Sequence, residues 1–509
     1  MNYYKGAYAM DQNLFDNTVR FDIKTSSINL KATCYESVKI PDYKSNVYKM
    51  LSSSQSADIT EIKIKDGKMT IDGAVNITAY YETEEGDYEN IHIPAVFNVN
   101  ADFDYPEGAY NHMYYVLVEN VDIKMLKNRK VEAECILNIL GMSVITVESV
   151  ALEAVTSSEN MMYKYEDIEH MSARTQSEEK TLRDSIFIGN EAEIEIVSVS
   201  SVLSDISHSL SNVGILYNAM IKGNVLCYIE NEKIYKTFDF ELPFNCFIER
   251  SSLSSIDYYQ IYASIISKTA EVDQSSQDGY INVEINIKTT AYMYQNCKTR
   301  VLTDAYVKKA VSTVEFEQLN TFLIKNKYVK AIPLSKETLL QNATKALLYH
   351  DVSLTAEPYL SDGQMKYGGC AIVTAIFSSY SEDEKYFVSK EKLEFDVNLD
   401  VSCPSFYIHP QITQADIKCS SSSISTALNI EVSVFEFEDK TMKIVKNIVL
   451  DAQTAGFSDD YVIAVHYVQP NEALWDIAKK YLTSPEQILE DNNIENEEEL
   501  KSYTPLIII

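Results

Sequence analysis

Basic residues are in short supply in this 509-residue chain: 44 Lys and Arg stand against 75 Asp and Glu, a formal net charge of −31. Nucleic-acid binding is dominated by Lys and Arg contacts to phosphate, and adhesion to an anionic membrane needs the same sign of charge, so the composition argues against both. The acidic excess serves solubility or a basic protein partner. Long apolar runs are also missing: no stretch reaches the ~18–20 consecutive apolar residues that span a bilayer. The N-terminal MNYYKGAYAMDQN lacks a charged segment followed by an apolar run, so no signal peptide and an intracellular location are expected. None of the eight cysteines belongs to a CxxC pair. Several, such as Cys135 and Cys227, fall at apolar phases of strand patterns, which points to buried free thiols rather than disulfides or zinc ligands.

Catalytic signatures are missing too. The chain contains no GxxxxGK[ST], HExxH or GxSxG. None of its seven histidines lies within four residues of another, so no local metal pair exists. Carboxylates are too numerous for a catalytic pair to stand out. No catalytic residue, metal or cofactor is expected. The rival is an enzyme whose site is assembled only in three dimensions.

What is present is alternation. Glycines number 14 and tyrosines 36, and aromatic and β-branched residues at alternate positions favour strands. Around Gly73, Ile71, Val75, Ile77 and Ala79 share one phase. A similar phase recurs at Ile221, Gly223, Val225, Cys227 and Ile229, and again at Tyr367, Gly369, Ala371, Val373 and Ala375. A second landmark, Val131, Ala133, Cys135, Leu137 and Ile139, recurs at Ile281, Val283, Ile285 and Ile287, and at Leu428, Ile430, Val432 and Val434. Period two is the signature of a half-buried strand. The expected fold is therefore mainly β: three tandem antiparallel repeats of sandwich or barrel type, at 1–152, 185–300 and 331–455. Residues 153–184 read as a polar linker, a helix or tether, and residues 301–330 as a linker of mixed composition that could be helical. Residues 451–460 read as a hinge before a terminal unit at 461–509.

That terminal unit has a different period. Leu474, Ile477, Ala478 and Tyr481 fall at i, i+3, i+4 and i+7, one buried stripe of a helix. Ser484-Pro485-Glu486-Gln487 is a helix start, with Ser as cap and Pro at the first helical position. Apolar segments precede the first helix and end the chain. This strand–helix–helix–strand order, with its Leu-Trp-x-Ile-Ala-x-x-Tyr core, resembles a LysM module, a βααβ binding unit without catalytic chemistry. The chain departs from the usual module where Gly-Asp-Thr is replaced by Asn471-Glu472-Ala473. In glycan-binding LysM modules the loops before the first helix and after the second form the sugar groove. Here those loops comprise Pro470, Asn471, Glu472 and Ala473, with Asn492, Asn493 and Ile494. Residues 461–509 hold nine acids against three lysines, an acidic skin that suits a protein partner at least as well as a neutral glycan. Trp475, the only tryptophan, lies about 100° around the helix from the buried stripe. It reads either as a core residue or as an exposed anchor. Ile463 and Val465 share one face of the first strand, opposite Val462 and Ala464; one of these sets is expected to be exposed.

The repeats and the terminal module together resemble the clostridial spore-coat morphogenetic proteins of the SipL type, in which repeated β-rich domains precede a C-terminal LysM. The resemblance covers nearly the whole chain. It implies a non-enzymatic scaffold in the mother-cell cytoplasm at the forespore surface, later part of the spore coat. Such a scaffold binds the basement-layer ATPase SpoIVA through its LysM and tethers coat to forespore. Other coat proteins are further partners, and peptidoglycan (N-acetylglucosamine) is the alternative ligand. On this reading the docking residues are Ile463, Val465, Asn471, Glu472, Leu474 and Trp475.

Overall fold

Strands dominate because apolar residues alternate, and the alternation sorts them onto two facing sheets in each of three units. The computed structural model describes residues 13–509 except 106–107, 128, 157–160, 190–193, 251, 274–278, 310, 382–384 and 451–462. The first unit contains β1 (Asn13–Lys24), β2 (Ile28–Lys39), β3 (Val47–Lys65), β4 (Lys68–Thr83), β5 (Tyr88–Asp102), β6 (Ala109–Leu126) and β7 (Lys130–Thr156). The second contains β8 (Met161–Gly189), β9 (Ile194–Leu210), β10 (Gly214–Ile229), β11 (Ile234–Glu249), β12 (Tyr258–Asp273) and β13 (Gly279–Val307). The third contains β14 (Ser312–Leu339), β15 (Ala343–Ser361), β16 (Gln364–Ser379), β17 (Tyr386–Asn398), β18 (Ser405–Cys419) and β19 (Ser423–Leu450).

Each unit has the same plan. A three-stranded meander (β3-β4-β5, β9-β10-β11 or β15-β16-β17) faces a sheet built on a long return strand, β7, β13 or β19. That strand pairs with β6, β12 or β18 on one edge and with β8 or β14 on the other. In the first unit the second partner is interrupted, and β7 pairs with β2 and then β1. The core between the two sheets joins Ile71, Val75 and Ile77 to Val131, Ala133 and Cys135 in the first unit, with matching clusters in the other two. Asp66-Gly67 and Asp362-Gly363 turn equivalent hairpins with positive φ at both residues, the geometry that favours this dipeptide. All eight cysteines are free.

Residues 161–189 and 312–339 are strands, so the linkers read at 153–184 and 301–330 are corrected where the structure describes them. Both strands lie on sheet edges, and their polar stretches, such as Ser177 to Lys180, keep side chains in solvent without an apolar alternation to reveal them. The hinge read at 451–460 lies outside the described residues. The repeat registers also shift. Bulges place Leu51, Val197 and Leu347 at one equivalent site, opposite Tyr80/Tyr81, Leu226/Cys227 and Ile376/Phe377. Counted from there, Ile71 corresponds to Tyr217 and Tyr367 rather than to Ile221. Bulges likewise place Glu119, Ile266 and Thr413 together, which sets Cys135 and Ile285 level with Leu428 rather than with Val432. A period of two survives any even slip, so alternation alone identifies the face and not the register.

The three units close into a ring. A hairpin strand of one unit lies against the first meander strand of the next: β6 on β15, β18 on β9 and β12 on β3. Thr355 Oγ1 donates to the Val118 carbonyl across the first junction at 3.2 Å. Ala415 N donates to Ser204 Oγ across the second at 3.0 Å. Around the pseudo-threefold axis Tyr88, Tyr235 and Tyr386 form a triangle with ring centroids 5.8–6.3 Å apart. A second set, Tyr115, Tyr262 and His409, brings His409 within 4.9 and 4.5 Å of the two tyrosine rings. Much of the tyrosine excess is thus spent on junctions, where a ring fills space and its hydroxyl can find a backbone partner, as Tyr235 does at Tyr88 N at 2.7 Å.

Burial holds the His409 imidazole down to about 3 and those of His112 and His350 to about 4. The unfolded chain therefore binds more protons than the folded one below the ordinary histidine value of 6.5. Stability from these groups is fully present above that value and falls as the pH drops towards the folded values. Asp351 acts oppositely: burial raises its carboxyl to about 6, and acidification relieves that cost. Three imidazoles outweigh one carboxyl, so the net loss between about pH 7 and pH 5 is expected to be about 2–4 kcal/mol. Urea titrations at the two pH values check this; an unchanged or higher stability at the lower pH refutes it.

Candidate docking site

The last unit is built from β20 (Ala464–Tyr467), α1 (Leu474–Tyr481), α2 (Pro485–Asp491), a short 3₁₀ turn (Glu497–Glu499) and β21 (Pro505–Ile508). Leu474, Ile477 and Ala478 of α1 meet Ile488 of α2 and Leu506 and Ile508 of β21 in one buried cluster. Ser484 caps α2 by accepting from Gln487 N at 3.2 Å. The Gln487 side chain reaches forward to Asp491 at 2.8 Å, so only half of a capping box forms. Ala473 has no hydroxyl to cap α1, and Glu497 replaces it, accepting from Leu474 N at 2.9 Å.

The module is seated on the second unit. Trp475 Nε1 donates to Asp304 Oδ2 at 2.8 Å, and Lys479 Nζ lies 2.5 Å from Asp304 Oδ1. The indole meets the Tyr306 ring edge-on at 5.0 Å. The Tyr306 hydroxyl donates to the Thr483 carbonyl at 2.7 Å, and Lys309 N donates to the Leu482 carbonyl at 2.9 Å. Tyr306 and Met162 thereby join the module's own core. The position of Trp475, off the buried stripe of α1, is the position that faces β13. The reading of Trp475 as a free partner anchor is corrected: its indole is spent within the chain. Leu474 is also withdrawn, because it is buried at the centre of the module.

The strands carry the free surface. β20 and β21 pair antiparallel with Val465 opposite Ile507 and His466 opposite Leu506. Opposed residues share a face, so His466, Leu506 and Ile508 point into the module while Val465, Tyr467 and Ile507 point out. Together with Ile463 and Ile509 these side chains are 44–66% exposed, a contiguous apolar strip on a module of few residues. Ile463 and Val465 were readable from alternation. Tyr467, Ile507 and Ile509 follow from the same rule applied to both strands. Asp304 and Tyr306 had no local signal, since their role is set by contacts across more than 170 residues of chain.

The loops of the glycan groove are engaged with the module itself. Glu472 accepts from Gln469 N at 2.8 Å and lies 2.9 Å from His466 Nε2. The Asn492 amide donates to the Ile488 and Ile507 carbonyls and accepts from Ile507 N, at 2.7–2.8 Å. Ile494 packs against the core. Asn471 and Asn493 take left-handed conformations, φ 63° and 51°, which asparagine tolerates, and both are exposed with Pro470; Ala473 is half-buried.

The family model for the LysM domain matches residues 466–508. Those residues are thus a LysM domain, a module that binds peptidoglycan or other carbohydrate, or protein. No curated protein matches the chain, and no solved structure matches it. Among the described residues no helix is long and apolar enough to cross a membrane.

Proposed function

We propose that this chain is a non-enzymatic spore-coat scaffold of the SipL type. It acts in the mother-cell cytoplasm at the forespore surface and docks a SpoIVA-type coat ATPase through its LysM domain. The observation that carries the protein-docking half of this reading is the outward apolar strip of Ile463, Val465, Tyr467, Ile507 and Ile509. Exposed aliphatic and aromatic side chains grouped on one face favour a protein surface over a hydroxyl-rich glycan. The identity of the partner rests on the resemblance in domain order. The ring of three units supports it as a rigid base, from which the seated module presents its strip in a fixed direction.

The test uses the full chain. Fluorescence of Trp475 and calorimetry follow titration with SpoIVA and, separately, with soluble peptidoglycan fragments. Saturable binding to SpoIVA is expected, weakened at least about tenfold by Val465→Glu with the melting temperature unchanged, because Val465 touches solvent. Binding of the glycan alone would replace this reading with a wall-binding one. Binding of SpoIVA undiminished in the Val465 variant would move the docking face elsewhere.

A further inference from the structure

The ring surrounds a half-open cavity of about 750 Å³, lined by strands of all three units. The volume is that of a small-molecule site. Its wall is formed largely by β3, β9, β15, β6, β12 and β18, each an edge strand of its own sheet.

Two charges in this wall break the threefold pattern. Asp351, opposite Thr374, holds the place that Ser54 takes opposite Thr78 and Ser200 takes opposite Asn224. Lys268, just after the Ile266 bulge, holds the place of Val121 and Ala415. The shared fold is therefore built twice over with neutral residues at both positions, and neither charge is needed to form a unit. Both line the cavity. Among the described residues, neither makes a hydrogen bond within 3.5 Å or an ion pair within 4.0 Å. The Asp58 carboxylate in the same wall is already held by Lys288 at 2.8 Å, and the neighbouring His409 stays neutral. Burial disfavours both charged forms: it raises the Asp351 carboxyl, which Lys268 and Lys390 oppose, and lowers the Lys268 ammonium, which Asp351 opposes. Two opposite charges held apart in one cavity each lack a counter-ion in contact, and a ligand bearing both charges supplies both.

We propose that this cavity binds a small zwitterion, an amino acid or short peptide, with its carboxylate on the Lys268 ammonium and its ammonium on the Asp351 carboxylate. Val199, Val202, Ile265 and Ile412 give the body of the ligand an apolar bed. Isothermal titration of the full chain with trialanine and with leucine tests this, alongside N-acetyl-trialanine and trialanine amide. Trialanine or leucine is expected to bind, and the two blocked peptides to bind at least about tenfold more weakly than trialanine, the scale of one lost charge-assisted hydrogen bond. Lys268→Met and Asp351→Asn are each expected to weaken binding similarly while keeping the circular dichroism of the parent. The blocked peptides keep the test decisive if a variant fails to fold. Binding of neither probe, or equal binding of the blocked forms, overturns the proposal.

Discussion

Phe435→Ala is expected to lower the unfolding free energy by about 3–5 kcal/mol, the cost of emptying a large buried aromatic site. Phe435 is wholly buried on the return strand of the third unit. Its ring lies 5.7 Å from Tyr294 of the second unit and 6.4 and 6.5 Å from Tyr407 and Phe437. Lys327 Nζ sits 5.2 Å above it. The same cluster contains Met113, Tyr115 and Met142 of the first unit. A void there is walled by three units, each held by its own sheets, so it collapses poorly and the upper end of the range applies. Denaturant titration followed by far-UV circular dichroism and by tyrosine fluorescence should give one shifted transition common to both probes. A loss below about 1 kcal/mol would mean that the units do not meet as described.

Trp475→Ala is the second large effect. It removes the ring contact with Tyr306 and the indole hydrogen bond, and leaves Asp304 with Lys479 and the Ala305 N–H. An edge-to-face aromatic pair contributes about 0.5–1.5 kcal/mol beyond its buried area, and a hydrogen bond to a carboxylate about 1.5–3 kcal/mol. Seating of the module should weaken by about 2–4 kcal/mol. Calorimetry of the full chain is expected to separate a low-temperature transition for residues 463–509 from that of the ring, and hydrogen exchange should quicken in α1. Asp304→Asn, which keeps an acceptor for the indole but loses the charge facing Lys479, should fall between the parent and the alanine variant. A single unchanged transition in Trp475→Ala would show that the module is not held through this residue.

The two predictions mark where local pattern stopped and packing took over. The terminal helix could be read because its apolar residues repeat at the helical period, and Ser484 could be read as a cap because capping is local. Trp475 could not be assigned, since one residue off the stripe faces either solvent or a neighbour, and the neighbour is on β13. The polar edge strands β8 and β14 were equally hidden: their ladder bonds are made to β13 and β19, far along the chain. Equivalent sites in the repeats were legible in phase but slipped by four residues in one copy at each landmark, because only the bulges fix the register.

Composition and periodicity by themselves determined that this protein is β-rich, threefold in its internal plan and closed by a small helical module with an outward strand face. Those properties follow from side-chain alternation and helical spacing, which act over a few residues. Tertiary structure alone decided that the three units close into a ring, that tyrosines from all three meet on its axis, that Lys268 and Asp351 share one cavity, and that Trp475 is turned inward onto Asp304. Each of these depends on surfaces brought together across whole units, and no short-range period carries that information.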